Sequence, residues 1–246
     1  MIKSLNKVFT ILLTSAFVIT ASAQKLQISL GAFSGTPLGD FTKKDINDPT
    51  AGYALYNSGA NLEIKYYFDK LGLGLRGSFG SYYRDYQTYQ DDLVKQLGIT
   101  DDNYDFSMTN TFFTASPQIG ISYRFKLAKK LILEPYFFAG ATILTTPVER
   151  GVYHISGTTY HYEKKPQLYY GLNYIPGLKF QWNIWKHIGA AAFVEYEGSS
   201  LRTENETVLV YSANTYNKTE VSKSYNPQTI GGGLSLLIYF GLEEKE

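Results

Sequence analysis

Between Gln118 and Phe125 the chain reads Gln-Ile-Gly-Ile-Ser-Tyr-Arg-Phe, so that every second residue is large and apolar and those between are polar, glycine or charged. A period of two is the mark of a β-strand with one apolar face. The same dyad recurs in about eight segments, near 25–34, 59–69, 70–84, 109–126, 131–145, 167–183, 188–202 and 227–240.

The connections alternate in length. Asp69-Lys70, Leu127 to Lys130 and Ile184 to His187 are tight, whereas 36–58, 85–108, 146–166 and 203–226 are long. The chain opens with Lys3 and Lys7, a mostly apolar stretch from Val8 to Ile19, and small residues at Ala21-Ser22-Ala23. That is the form of a secretion signal, predicted to occupy residues 1–23 and to be cleaved before Gln24. After it there is no apolar run long enough for a membrane helix, yet aromatics make up 16% of the chain, with 22 tyrosines. An even number of amphipathic strands, short turns at one rim and long loops at the other predict an all-β fold. The expected form is an eight-stranded antiparallel up-and-down transmembrane β-barrel with short periplasmic turns and long extracellular loops, filling residues 24–246 as one domain.

Leu62, Ile64, Tyr66 and Phe68 share one face; so do Tyr170, Leu172, Tyr174, Pro176, Leu178, Phe180 and Trp182, and again Ile230, Leu234, Leu236, Ile238 and Phe240. Gln27, Ser29, Glu63, Lys65, Arg76, Ser122, Arg124, Glu134, Lys179, Gln181 and Ser235 stand on the other. A soluble lipocalin-like barrel would turn the apolar rows inward around a ligand. Aromatic clusters beside the short turns favour lipid outside: Tyr66, Tyr67 and Phe68, Tyr123 and Phe125, Phe180, Trp182 and Trp185, Tyr239 and Phe240 read as one interfacial girdle. Tyr82, Tyr83, Phe112, Phe113, Tyr169, Tyr170 and Tyr196 read as the other.

The inward charges are the most specific expectation. A two-residue turn at Asp69-Lys70 places Glu63 opposite Arg76, and a turn centred on Lys129 places Arg124 opposite Glu134. Lys179 and Glu195 sit at comparable height in the third hairpin, within direct or diagonal reach. The bore of an eight-stranded barrel is just wide enough for side chains to fill. These six residues are therefore expected to form a neutralised structural layer that plugs the lumen; a small gated pore is the alternative.

Charge and composition exclude several roles. Loss of Lys3 and Lys7 with the leader leaves 21 bases against 22 acids, which indicates no nucleic-acid partner. With no cysteine there is no disulfide framework, thiol chemistry or lipoprotein attachment site.

The leader, the alternation of turns and loops, the Gly-Ile-Ser-Tyr-Arg-Phe stretch at 120–125 before Lys129-Lys130, and the glycine-rich last strand ending Ile238-Tyr239-Phe240 resemble the small outer-membrane barrels of Gram-negative bacteria. These are the outer-membrane protein A and X types and the porin-family outer-membrane β-barrel domain. The resemblance implies an outer-membrane location over the whole mature chain. It departs where Gly241 to Glu246 follow Phe240, because such barrels often finish on the aromatic residue that the assembly machinery reads. Members serve as envelope components, adhesins, pores or lipid-modifying enzymes, so the fold does not choose among roles.

Candidate chemistry is sparse. His154-Ile-Ser156 resembles the His-x-Ser of outer-membrane lipid A deacylases, with Glu163 as a conceivable acid, but Gly157 stands where that motif has asparagine. Asp91-Asp92 and Asp101-Asp102 are acids of the sort an outer-membrane protease would use, without diagnostic spacing. Asp101-Asp102-Asn103-Tyr104-Asp105 mimics the start of a calcium loop, yet Phe106 occupies the glycine position and Phe112 that of the final glutamate. No metal, cofactor or catalytic residue is therefore assigned. In the long loops a short helix is predicted from Asp91 to Leu97, stopped by Gly98, and Val208 and Val210 suggest strands extending beyond the membrane. The expected role is structural or surface-binding, with outer-membrane lipid around the barrel and an extracellular protein or glycan as candidate ligand of the loops. A small-solute pore and a lipid-modifying hydrolase are the alternatives.

Overall fold

The computed structural model describes residues 25–99, 103–202 and 204–240. The leader, the Asp101-Asp102 pair and the residues after Phe240 lie outside the described residues.

Fourteen strands and one α-helix are described. In chain order they are β1 (Lys25–Leu38), β2 (Ala54–Phe68), β3 (Leu71–Arg84), α1 (Tyr86–Gln96), β4 (Tyr104–Met108), β5 (Thr111–Tyr123), β6 (Phe125–Lys126), β7 (Leu131–Thr145), β8 (Glu149–Ile155), β9 (Thr158–Lys164), β10 (Leu168–Asn183), β11 (Ile188–Leu201), β12 (Glu204–Tyr211), β13 (Tyr216–Lys223) and β14 (Gln228–Phe240). The order β10-β11-β14-β1-β2-β3-β5-β7, with β6 continuing the line of β5, closes on itself through the pairing of β7 with β10. Every barrel pair is antiparallel, and the first and last strands meet along 13 residue pairs from Leu26↔Phe240 to Leu38↔Gln228. The result is a closed eight-stranded cylinder, which leaves no edge in the region that must exclude water.

Its faces are inverted relative to a soluble protein. Leu30, Leu75, Ile119, Leu172 and Leu234 are 60–71% exposed, while Glu63, Lys65, Glu134 and Lys179 are at most 1% exposed. That inversion is stable only where the outside is hydrocarbon, so the protein is a transmembrane barrel of the outer-membrane type.

Parity along the strands corrects part of the expected girdles. Tyr66 and Phe68 face outward, but Tyr67 and Tyr239 point into the lumen, 1% and 4% exposed. At the other rim Phe113 and Tyr170 face out, whereas Tyr82, Phe112 and Tyr169 are buried inside. Neighbours in a strand point to opposite sides, so no run of consecutive aromatics can lie on one face.

The barrel strands run 13–16 residues, beyond the roughly 9–11 that span a bilayer. Their surplus stands above the membrane, where three of the long connections add a second antiparallel sheet, ordered β13-β12-β9-β8-β4. The connection 146–166, read as a loop, is a hairpin whose tight turn needs positive φ at Ser156 (48°) and Gly157 (76°). The helix begins five residues before Asp91 because Asp85 caps it, its carboxylate accepting from Thr88 N at 3.2 Å and from the Thr88 hydroxyl at 2.8 Å. Gly98, at φ +68°, turns the chain away at the other end.

Arginine in place of Leu234, midway along β14 and facing lipid, is expected to lower stability by roughly 2–4 kcal/mol in urea unfolding from lipid vesicles. Arginine at Tyr216, equally open but on the outer sheet, is expected to change it by less than about 0.5 kcal/mol.

Candidate functional site: the filled lumen and the extracellular cap

Alternation along β2 sends Glu63 and Lys65 inward together. Arg76 on β3 lies opposite Glu63 in the register, its Nη1 3.6 Å from Glu63 Oε1. Arg124 and Glu134 also lie at opposed positions, with Nε and Oε2 3.7 Å apart. The shortest ion pairs, however, cross the lumen instead of following the sheet. Lys179 of β10 donates to Glu63 at 2.7 Å, Lys65 donates to Glu134 of β7 at 2.6 Å, and Arg76 grips Glu195 of β11 with two bonds of 2.7 and 2.8 Å.

Lys179 and Glu195 therefore do not pair with each other. The register sets Gly177 against Glu195 and Lys179 against Phe193, and each charge finds a closer partner across the bore. Tyrosines complete the shells: Tyr136 donates to Glu195 at 2.6 Å and Tyr67 to Glu134 at 2.9 Å, while the Arg124 guanidinium stacks 3.3 Å above the Tyr67 ring centre and also bonds Gln27. Gln181 donates to Glu134 as well. Lys65 joins the six charges singled out by the sequence pattern, and its place two residues beyond Glu63 on the inward face is the signal that points to it.

Toward the loops a cluster of aromatic rings packs within the barrel mouth. Phe41, from a 3-10 turn at Gly39–Thr42, inserts fully buried between Tyr82, Phe112 and Tyr225, with ring centres 5.1–5.7 Å apart in edge-on geometry. Tyr169 packs on Tyr225 at 5.1 Å. Gly52 makes this insertion feasible: a Cβ there would lie 2.3 Å from the Phe41 ring.

Above these rings two buried carboxylates organise the cap. Glu149, at the start of β8, accepts from Arg84 at 2.6 Å, Tyr89 at 2.8 Å and Tyr162 at 3.0 Å. Glu206 of β12 accepts from Lys164 at 2.7 Å and Tyr169 at 2.8 Å. Burial pushes the Glu149 carboxyl up, but Lys164 and Arg84 outweigh it and hold it at about 2. Burial, followed by the charge of Glu149, lifts Tyr89 to about 12. These residues come from β3, α1, β8, β9, β10 and β12, so one cluster ties the outer sheet and helix to the barrel rim. A cavity of about 240 Å³ lies between α1 and the outer sheet.

The enzyme candidates are not assembled. His154 Nδ1 lies 3.0 Å from the Thr159 hydroxyl, Ser156 occupies the hairpin turn, and Glu163 pairs with Arg150 at 3.7 Å further down the same hairpin. Among the described residues no group of three or more His, Cys, Asp or Glu is placed to hold a metal ion.

No protein-family model and no curated protein sequence matches the chain. Solved structures of similar architecture include a major outer membrane protein from Thermus thermophilus, with 12% identity, TM-score 0.45 and coverage of 87% of this chain and 99% of that one. The outer membrane protease OmpT from Escherichia coli has 11% identity, TM-score 0.41 and coverage of 88% and 96%. Ail of Yersinia pestis, in complex with the heparin analogue sucrose octasulfate, has 19% identity, TM-score 0.39 and coverage of 86% and 98%.

Alanine at Glu195 would leave the buried Arg76 without its bidentate partner, and is expected to lower stability by about 3–5 kcal/mol in urea unfolding. Alanine at Glu163, half-buried in its pair with the exposed Arg150, should cost under about 1 kcal/mol.

The lowered Glu149 carboxyl contributes stability that is complete above about pH 4.5 and lost as pH falls through about 2. Near-UV circular dichroism of the tyrosine-rich cap should change over that window while the far-UV β signal persists. Glu149→Gln should abolish that step.

Proposed function

We propose that, after removal of a leader at residues 1–23, the protein is a non-conducting outer-membrane barrel that serves as a rigid stand for a surface-binding extracellular head. The observation that carries this reading is the double closure of the lumen. Glu63, Arg76, Arg124, Glu134, Lys179 and Glu195, joined by Lys65, act as a structural layer at mid-height, and the aromatic cluster around Phe41 seals the mouth. A solute would have to displace both.

The head supports a binding role. Among the described residues, edge strand β13 pairs only with β12 and is exposed along almost its whole length, offering its outer main-chain groups with Tyr216 and Val221. Such an edge suits an extended protein segment, and the polar, tyrosine-rich surface around it suits a protein or a glycan. No catalytic step is assigned, because His154, Ser156 and Glu163 do not converge.

Planar-bilayer recording of the purified protein tests this reading. The expected result is no discrete conductance, with openings appearing when Phe41 and Tyr225 are both replaced by alanine and Arg76 by serine. Steady single-channel steps in the unaltered protein would favour the small-solute pore instead.

A further inference from the structure

The cavity in the cap is not accounted for by a purely structural role. One wall is α1 and its C-terminal cap, with Leu93 and Leu97, and the other is the face of the outer sheet carrying Val208, Val210 and Val221. The floor is charged, formed by Arg84, Lys164 and Glu206, with Lys223 at the side. Apolar walls with a few convergent polar groups are the make-up of a small-molecule site. At about 240 Å³ it lies just below the roughly 300–1,000 Å³ of drug-sized sites, so its occupant is small.

The charges name the ligand class. Arg84, Lys164 and Lys223 supply three cations, whereas Glu206 and the adjoining Glu149 supply two anions. Lys164 and the Arg84 head are satisfied by those carboxylates. Lys223 Nζ reaches only the main-chain carbonyls of Asp48 at 3.0 Å and Ile46 at 3.4 Å, with no carboxylate within ion-pair distance among the described residues. Burial and the nearby Lys164 charge lower its pKa against the weaker upward pull of Glu206, Asp48 and Glu149, and a further anion beside it would act in the same upward sense. Arg84, whose side chain is 3% exposed, keeps its Nε without a hydrogen-bond partner while lining the same cavity.

We propose that this cavity is a binding site for a small amphiphilic carboxylate. Its single negative charge is met by Lys223 and its apolar body lies between Leu93, Leu97 and the valines of β12 and β13. The proposal extends the surface-binding reading from the rim of the head to its interior.

Isothermal titration of the full mature chain in nanodiscs tests it, with phenylacetate and hexanoate as probes, neutral phenylacetamide as the matched control, and empty nanodiscs to subtract partitioning. Saturable one-to-one binding of a carboxylate is expected, with the amide weaker by about tenfold or more, the loss that follows from one charge-assisted hydrogen bond. Lys223→Gln should weaken the carboxylate by a similar factor and leave the amide unchanged. Val210→Phe, which fills the cavity, should remove both, and heat-modifiable gel mobility verifies that each variant is folded. Equal binding of acid and amide, unchanged binding in both variants, or absence of one-to-one saturation by either carboxylate overturns the proposal. Conductance of the same preparation reports separately on the closed-barrel reading, so the two fail independently.

Discussion

Glu63 sits 1% exposed in the middle of the lumen, with the cations of Lys179 at 2.7 Å, Lys65 at 3.0 Å and Arg76 at 3.6 Å around it. That arrangement follows from the surroundings of the barrel. Hydrocarbon outside removes water from the backbone, which forces every strand to pair and the sheet to close. It also leaves the lumen as the place within the membrane for polar side chains. A bore this narrow lets them touch, and buried ions that touch must be matched in sign and bonded on most sides. The charge network is therefore a consequence of the inverted faces.

The same constraint is relaxed at the upper rim, and the structure changes character there. Strands longer than the membrane is thick emerge into water, where an ordinary core becomes feasible. Tyr53, Tyr89, Leu93, Phe106, Tyr153 and Tyr162 pack into one outside the barrel, and Phe41, Tyr82, Phe112 and Tyr169 fill the mouth below it. Glu149, held by Arg84, Lys164 and tyrosine hydroxyls, and Glu206, held by Lys164 and tyrosine hydroxyls, join the two regions. Tyrosine serves both because its ring packs while its hydroxyl reaches a carboxylate.

Much of this is legible from residue order. Strand positions and tight turns follow from local periodicity, and the opposed positions of Glu63 and Arg76 follow from the length of a two-residue turn. Clustering of aromatics points Tyr67, Tyr239 and Tyr82 toward lipid, but strand parity overrides it and turns all three inward. Phe41 lies in a connection, where no periodicity marks it, and Lys65 faces Gly74 along its hairpin, so no opposed charge draws notice to it. The outer sheet is only partly visible: Val208 and Val210 suggest protruding strands, but pairing of β12 with β9 and of β8 with β4 joins different connections.

By itself, the order of residues determined an amphipathic eight-strand rhythm, an apolar belt and a polar lining, because a period of two and a turn length are local properties that the backbone converts directly into face and register. Only the tertiary structure decided which charge meets which. Lys179 with Glu63, Lys65 with Glu134 and Arg76 with Glu195 are separated by 116, 69 and 119 positions, and long side chains choose partners by distance across a curved, closed wall. That distance exists only once the sheet has rolled up, as does the cavity between α1 and the outer sheet.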